Sequence, residues 1–558
     1  MKRILSSILF SILIWIPIAQ SQTVNWLWAY GATNSTSGND KARCITVDSQ
    51  GYSYITGSFY GWAITFGGLN TFFSPGSGFA DCIFMVKYDP SGHYVWGRVA
   101  GGDAAGDEGN TIAVDDSGNF YVAGQFATAW IDLGGGPSLY NAGGTDIFLV
   151  KFNSSGAYVW EHEFGGIGND EAWGVDIDHD GNVYLTGGFT SPDLSIGSDT
   201  LHNISTSTYD IFVAKFDPAG NKIWSRRAGN INNEKGKSIA ADAYGNCYVT
   251  GSFSSNFVGF GTTTLTNGGG EDIFIVKYNS SGNPVWAKKG SGSANDEAGG
   301  IACDDAGNSY FTGTFNSPII SFGSTSLTSA GSSDVVDVKL DSSGTLQWAF
   351  AAGGINADTG RGICIDASGN MYTTGSFSSS AISFGASTVN NFAAGTNDLF
   401  IAKHDASGNS LWAVSNGEAG NDYGAAIGVD AAGNCIVSGI QYSNQLSFNS
   451  FNVMGLFGDN FIAKLSSIAL GIENPRENDM LLYPNPASSM LYIDLLSQSG
   501  PGSISIFDSN GKKVLDQPIN GHASAEPIMF DISRFAKGLY IVQVLNGDRL
   551  IHKKIMID

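Results

Sequence analysis

The feature that most constrains this chain is a repeat of about 63 residues. It can be set in register on tryptophan: Trp28, Trp96, Trp160, Trp224, Trp286, Trp348 and Trp412, at spacings of 68, 64, 64, 62, 62 and 64. Self-similarity at such a period marks units that bury their apolar faces only against neighbouring copies. Four strand-like runs recur in fixed order. The first ends in Asp, as in TIAVD at 111–115 and GICID at 362–366, and x-x-Gly follows, usually then Asn. This is hairpin chemistry, since Asp accepts from turn amides and Gly takes positive φ without strain. The second run follows at once (YVTGSF at 248–253, YTTGSF at 372–377). The third is apolar almost throughout (DIFLVKF at 146–152, DIFIVKY at 272–278). A second Gly-containing turn leads to the fourth run, which carries the Trp.

Four antiparallel strands joined by tight turns predict one blade of a β-propeller per repeat. A blade packed between two neighbours is covered on both faces, so its strands need not alternate polar and apolar residues. The array's ends are complementary. The seventh repeat stops after its third run, at Asp459–Leu465, and an orphan fourth run, Val24–Ala29, precedes the first repeat. The expected fold class is therefore all-β: a seven-bladed propeller over 22–465, closed by its N-terminal strand so that no sheet edge is left open to aggregation. A linker over 466–480 and a small Ig-like sandwich over 481–558 follow.

Composition agrees with short strands and tight turns: 75 Gly, 12 % aromatic residues and only 14 % charged residues. The net charge is −23, yet residues 473–558 carry ten acids against eight bases, so the negative charge belongs to the repeat region. Such a surface disfavours nucleic acid and anionic membranes. Lys2, Arg3, the apolar run Ile4–Ile18 and Ala19-Gln20-Ser21 read as a signal peptide over 1–21. No later run is long enough to span a membrane, so no membrane span is expected in the mature form. The six Cys fall at unmatched places in the repeat and read as buried free thiols rather than a disulfide framework.

The words VDxxGNxYxTGSF and DIFVAKYDxSGxxxW resemble the SBBP-type propeller repeat of secreted bacterial proteins. That resemblance covers 24–465 and implies a fold but no common activity. At the C-terminus, Tyr483-Pro484-Asn485-Pro486 is followed by the Asn510-Gly511 hairpin, Asp531-Ile532, Lys537-Gly538-Leu539-Tyr540-Ile541-Val542 and the basic-apolar end Lys553-Lys554-Ile555. This order resembles the type A sorting domain of type IX secretion in Bacteroidota. It implies recognition by that machinery through Tyr483, Pro484, Asn485, Pro486, Gly538, Lys553 and Lys554. It also implies a protein secreted or attached to the outer cell surface.

Each repeat carries an acid eight residues before its first-run Asp: Asp40, Asp107, Asp170, Glu234, Asp296, Asp358 and Asp422. They are expected at one mouth of the channel. They read either as a cation or ligand site or, because they repeat strictly, as caps for loop amides in each blade. The repeated third-run Lys needs an acid partner, and the first-run Asp is the candidate. Asp176-Ile177-Asp178-His179-Asp180-Gly181 mimics the start of a calcium loop but has Gly187 at its twelfth position. No metal cluster or catalytic constellation stands out, so the expectation is no cofactor, with calcium the one ion considered. Ligand contacts are expected where repeats disagree: Tyr60, Trp62 and Phe72 in the first repeat and Trp130 and Tyr140 in the second. The leading expectation is a non-catalytic scaffold or binding protein for a glycan or surface protein. The alternatives are a carbohydrate-active lyase or hydrolase using the channel-mouth acids, and a purely structural cell-coat protein.

Overall fold

The computed structural model describes residues 23–34, 40–68, 70–75, 80–102, 106–455, 458–468, 480–483, 486–495, 502–508, 512–519, 528–546 and 549–557. The signal-peptide reading over 1–21 and most of the expected linker lie outside the described residues. Regular structure among the described residues is entirely strand, in two compact units: one spans Ser21–Ile468 and the other holds Ala469–Asp558. The last strand of the larger unit, Asp459–Ile468, runs past the expected boundary at Leu465.

Six repeats each form a four-stranded antiparallel meander. In the third repeat the strands are Asp170–Ile177, Val183–Phe189, Asp210–Phe216 and Lys222–Ala228, in that spatial order. The third strand is buried along its whole length, as its unbroken apolar run predicts. In the seventh sheet, Asp422–Val429, Cys435–Gln441 and Asp459–Ile468 are joined by the N-terminal strand Thr23–Asn34. Its register runs from Thr23 opposite Ile468 to Ala32 opposite Asn460.

Side-chain chemistry shows that this strand stands in for a fourth strand. In the first six repeats the Trp pairs across the ladder with the repeat Lys, as in Trp96 with Lys87, Trp160 with Lys151 and Trp224 with Lys215. Trp28 pairs with Lys464 in the same way. The Trp160 indole and the Lys151 ammonium both donate to the Pro218 carbonyl in the next sheet, at 3.1 and 3.0 Å. Trp28 and Lys464 share the Pro90 carbonyl, at 3.2 and 3.1 Å. A link from each inner strand to the residue before the third strand of the preceding sheet also recurs: the Asp170 amide donates to the Thr145 carbonyl, that of Asp422 to Asn397, and that of Asp40 to Gly458. Strand Lys41–Val47 packs against both Glu108–Val114 and Asp422–Val429.

Four of the seven repeat lysines, Lys215, Lys277, Lys403 and Lys464, find the expected Asp within 4.0 Å, whereas Lys87, Lys151 and Lys339 donate instead to the Tyr54 hydroxyl and to the Pro218 and Ala406 carbonyls. Lys215 lies 3.3 Å from Asp178 and Lys464 lies 2.8 Å from Asp430, with both members of each pair buried. Burying two charges is tolerated only when further hydrogen bonds complete the site. The second-strand tyrosine supplies them: the Tyr184 hydroxyl lies 2.9 Å from Asp178 and 2.6 Å from the Gly245 carbonyl of the next sheet, while Lys215 sits over its ring. Tyr184→Phe should lower stability by about 1–2 kcal/mol, read as a shift in the denaturant midpoint with an unchanged slope.

The smaller unit comprises Met480–Tyr483, Met490–Leu495 and Ile528–Asp531 in one sheet. Lys513–Ile519, Gly502–Asp508, Gly538–Asn546 and Arg549–Ile557 form the other. Leu491, Ile493, Phe530, Ile504, Val542 and Ile555 from both sheets share one core, which makes it a sandwich.

Candidate functional site

The seven repeat acids are fully buried: Asp40, Asp107, Asp170, Glu234, Asp296, Asp358 and Asp422 each show 0 % exposure. Their carboxylates are therefore not presented at a channel mouth. Asp170 accepts from the amides of Thr190 and Ser191 at 3.1 Å and from the Ser191 hydroxyl at 2.6 Å. Asp358 with Ser379 and Asp422 with Ser443 repeat the pattern. Burial raises the Asp170, Asp358 and Asp422 carboxyls above the ordinary range, against these donors, and pushes Asp296 up to about 6. Each acid ties the start of its inner strand to the end of the second strand. The calcium-like segment is similarly committed, because Asp178 is spent on Lys215, Asn182 and Tyr184. No group of metal-ligating side chains assembles among the described residues.

The aromatic candidates separate. Trp130 and Tyr140 are cross-strand partners in a small hairpin and are 52 % and 65 % exposed. Trp62 is also exposed, while Tyr60 is only partly so. Phe72 turns inward against Phe66 and Tyr94, leaving Phe73 to face outward. Period-2 alternation across Asn70–Phe73 was the available signal for choosing between these two rings.

A second constellation was missed by sequence reasoning. In all seven sheets the pairing of first and second strands slips by one residue, three places after the repeat acid. The residues skipped are Arg43, Asn110, Trp173, Lys237, Gly299, Arg361 and Ala425. A β-bulge frees a residue from the ladder and re-aims its side chain. It also explains the Gly of the second-strand motif: a Cβ on Gly187 would overlap the Glu171 carbonyl, and one on Gly375 the Thr359 carbonyl. The backbone is thus strictly repeated, while the released side chains differ from sheet to sheet. Five of the skipped residues, Arg43, Lys237, Gly299, Arg361 and Ala425, line one cavity of about 540 Å³.

The charges there are unusual for this chain. Arg43 and Lys41 share Glu108, at 2.8 and 2.6 Å. Burial opposes that carboxylate's charge, yet the two cations hold it below its usual range. Among the described residues, neither Lys237 nor Arg361 has an ion-pair partner within 4.0 Å. Lys237 lies over the Trp173 ring at 4.5 Å, and Arg361 lies 5.7 Å from the centre of the Tyr423 ring. Burial, then repulsion from Lys235, lowers the Lys237 ammonium. Burial lowers Arg361, and Arg43 adds repulsion. The signal was present in the sequence: +1 and +3 from the repeat acid are where the inner strands disagree, as in DKAR, DEAW, EKGK and DTGR.

In the C-terminal unit, Tyr483 and Pro486 are exposed, and Pro484 and Asn485 lie outside the described residues. Gly538 opens the strand that pairs with the last one, opposite Ile557. Lys553 and Lys554 sit in that last strand, opposite Val542 and Ile541.

Residues 481–558 match the family described as secretion system C-terminal sorting domain. This tail marks the chain for export by type IX secretion, to a secreted or cell-surface destination, and implies interaction with that machinery. Over 355 residues the chain is 27 % identical to "Uncharacterized WD repeat-containing protein L264" of Acanthamoeba polyphaga mimivirus, covering 53 % of this chain and 26 % of that protein. Over 218 residues it is 24 % identical to "Regulatory protein FlaEY" of Caulobacter vibrioides, covering 36 % and 22 %. The chain thus spans about a quarter of the length of the curated relatives it matches. A solved structure of a protein of unknown function from Dyadobacter fermentans aligns over 80 % of this chain and 99 % of its own, at 8 % identity and a TM-score of 0.36.

Proposed function

We propose that this chain is a non-catalytic binding scaffold, exported through its sorting tail and built as a seven-bladed β-propeller of the SBBP type. On this reading the N-terminal strand closes the ring. The shared use of Pro90 by Trp28 and Lys464 supports closure, because the same bond pattern joins sheets elsewhere in the array. Similarity to a WD repeat-containing protein supports a repeat scaffold, since WD repeats are propeller blades. The scaffold works without a cofactor, and its repeat acids serve the fold rather than a reaction.

The observation that carries binding is the exposed pair Trp130 and Tyr140, held side by side on a two-stranded hairpin. Rigid amphipathic rings presented this way suit stacking on sugar rings or anchoring a protein partner. The purified full-length chain, applied to a glycan array, should retain a set of neutral glycans. Trp130→Ala should weaken that retention about tenfold, as expected for one desolvated aromatic anchor, with Trp62→Ala as a second variant. Retention unchanged in both variants would remove the rim aromatics from the binding surface.

A further inference from the structure

The cavity between the inner-strand bulges inverts the charge of the protein around it. The chain carries −23 overall. This cavity is lined by four cations, Lys41, Arg43, Lys237 and Arg361, against the single carboxylate Glu297. The four come from the first, fourth and sixth repeats, so no local sequence cluster produces them. They converge because three bulged positions and the neighbouring Lys41 open on the same space. Only Glu108 neutralises the first-repeat pair, and it does so for two cations at once. Lys237 and Arg361 are left with ring faces and with the longer-range pull of Glu297, to which Glu171 and Glu271 add at Lys237.

Partly buried cations of one sign, crowded enough to repel each other, cost free energy that a solvated surface position would avoid. A fold constraint would repeat around the array, as the buried acids do, and these residues do not. An anion entering the cavity would offset the repulsion. Its low-dielectric walls strengthen each contact, and an Arg guanidinium offers paired donors to a planar or tetrahedral oxyanion. The volume lies in the range of about 300–1,000 Å³ typical of small-molecule sites.

We infer that this cavity is a binding site for a small anion, a ligand presenting a carboxylate, sulfate or phosphate group to Lys237, Arg361 and Arg43. Trp173 holds its ring face against the Lys237 ammonium. The site is separate from the rim aromatics, and the two readings stand or fall independently.

The test is isothermal titration calorimetry on the purified full-length chain at low ionic strength, with sodium sulfate, sodium phosphate, glucuronate and glucose as probes. Saturable binding of at least one anion, and none of glucose, is expected. Binding of sulfate or phosphate alone identifies a free-oxyanion site, and preference for glucuronate identifies a sugar-acid site. Either result supports the inference. Lys237→Gln and Arg361→Gln should each weaken binding about tenfold, the scale of one charge-assisted hydrogen bond. Glu297→Gln should tighten it several-fold by removing the opposing charge. Ala425→Glu, which places a carboxylate in the wall, should abolish it. Arg226→Gln, at a cation outside the cavity, should change nothing. Opposite signs from substitutions in one wall separate anion recognition from misfolding. The inference is overturned if no anion gives saturable heat, or if affinity is the same in Lys237→Gln, Arg361→Gln and Glu297→Gln as in the parent.

Discussion

A chain lacking residues 22–34 should lose cooperative unfolding of its large unit and associate into oligomers. The N-terminal strand pairs with Asp459–Ile468 along nearly its whole length, and its far end also pairs Ala32, Thr33 and Asn34 with Phe66, Thr65 and Ile64. It therefore joins the last repeat to the first. Trp28 is 5 % exposed and Ala29 9 %, and both belong to cores that include residues of the last repeat. Deletion would uncover those cores and leave Asp459–Ile468 as a long apolar edge, which invites strand addition from another molecule. Trp28→Ala alone should cost about 3–5 kcal/mol, the range for deleting a large buried aromatic. Calorimetric melting and light scattering read both effects. A deletion variant that stays monomeric and melts at the parent temperature would show that the strand is dispensable. Restoration of the parent melt by an added peptide of residues 23–34 would tie the loss to this pairing.

The second large effect concerns Asp337. Its counterparts in the third strand of other repeats are Met85, Leu149, Val213, Ile275, Ile401 and Ile462. Asp337 is fully buried, has Thr312 and Phe350 as ladder partners, and draws weak support from the Thr312 hydroxyl and a long bond from Thr373 at 3.4 Å. Burial pushes its carboxyl up from 3.8 to about 7. The folded state thus holds the proton more tightly than the unfolded chain does. Its contribution to stability is complete below about pH 4 and is lost as pH rises through about 7. Three pKa units correspond to about 4 kcal/mol across that window. Asp146, Asp176 and Asp398, each raised to about 6 by burial, act with the same sign. The parent protein should therefore be more stable near pH 5 than at pH 8, unlike proteins whose carboxylates are held low by ion pairs. Asp337→Ile should raise stability at pH 8 by about 2–4 kcal/mol and flatten, without abolishing, the slope between pH 4 and 7. Denaturant titrations at pH 5 and 8 decide it. An equal effect of the substitution at both pH values would mean that Asp337 titrates normally.

The strand order within each repeat was legible from residues whose requirements are local. Asp and Gly at fixed offsets make a tight turn in any context, and an unbroken apolar run such as DIFIVKY needs cover on both faces. The role of Val24–Ala29 was legible for a related reason: a missing strand and a spare strand of one type occur once each. Short-range rules also identified four of the Lys–Asp pairs, but not the carbonyl and hydroxyl oxygens that Lys87, Lys151 and Lys339 take instead, because those belong to neighbouring strands and sheets.

The cavity was not legible in this way. The register slip that releases Arg43, Lys237 and Arg361 is a property of two paired strands, and no single run announces it. The Gly of the second-strand motif is its shadow in the sequence, but only the packed ladder shows which carbonyl that glycine makes room for. Likewise, the choice between Phe72 and Phe73 depended on which face of a four-residue strand met the core. The sequence by itself determined the repeat, its turns and its sorting tail, because these rest on chemistry within a few residues. Which side chains meet across the inner strands was settled by packing, because the cavity draws its lining from five separate repeats.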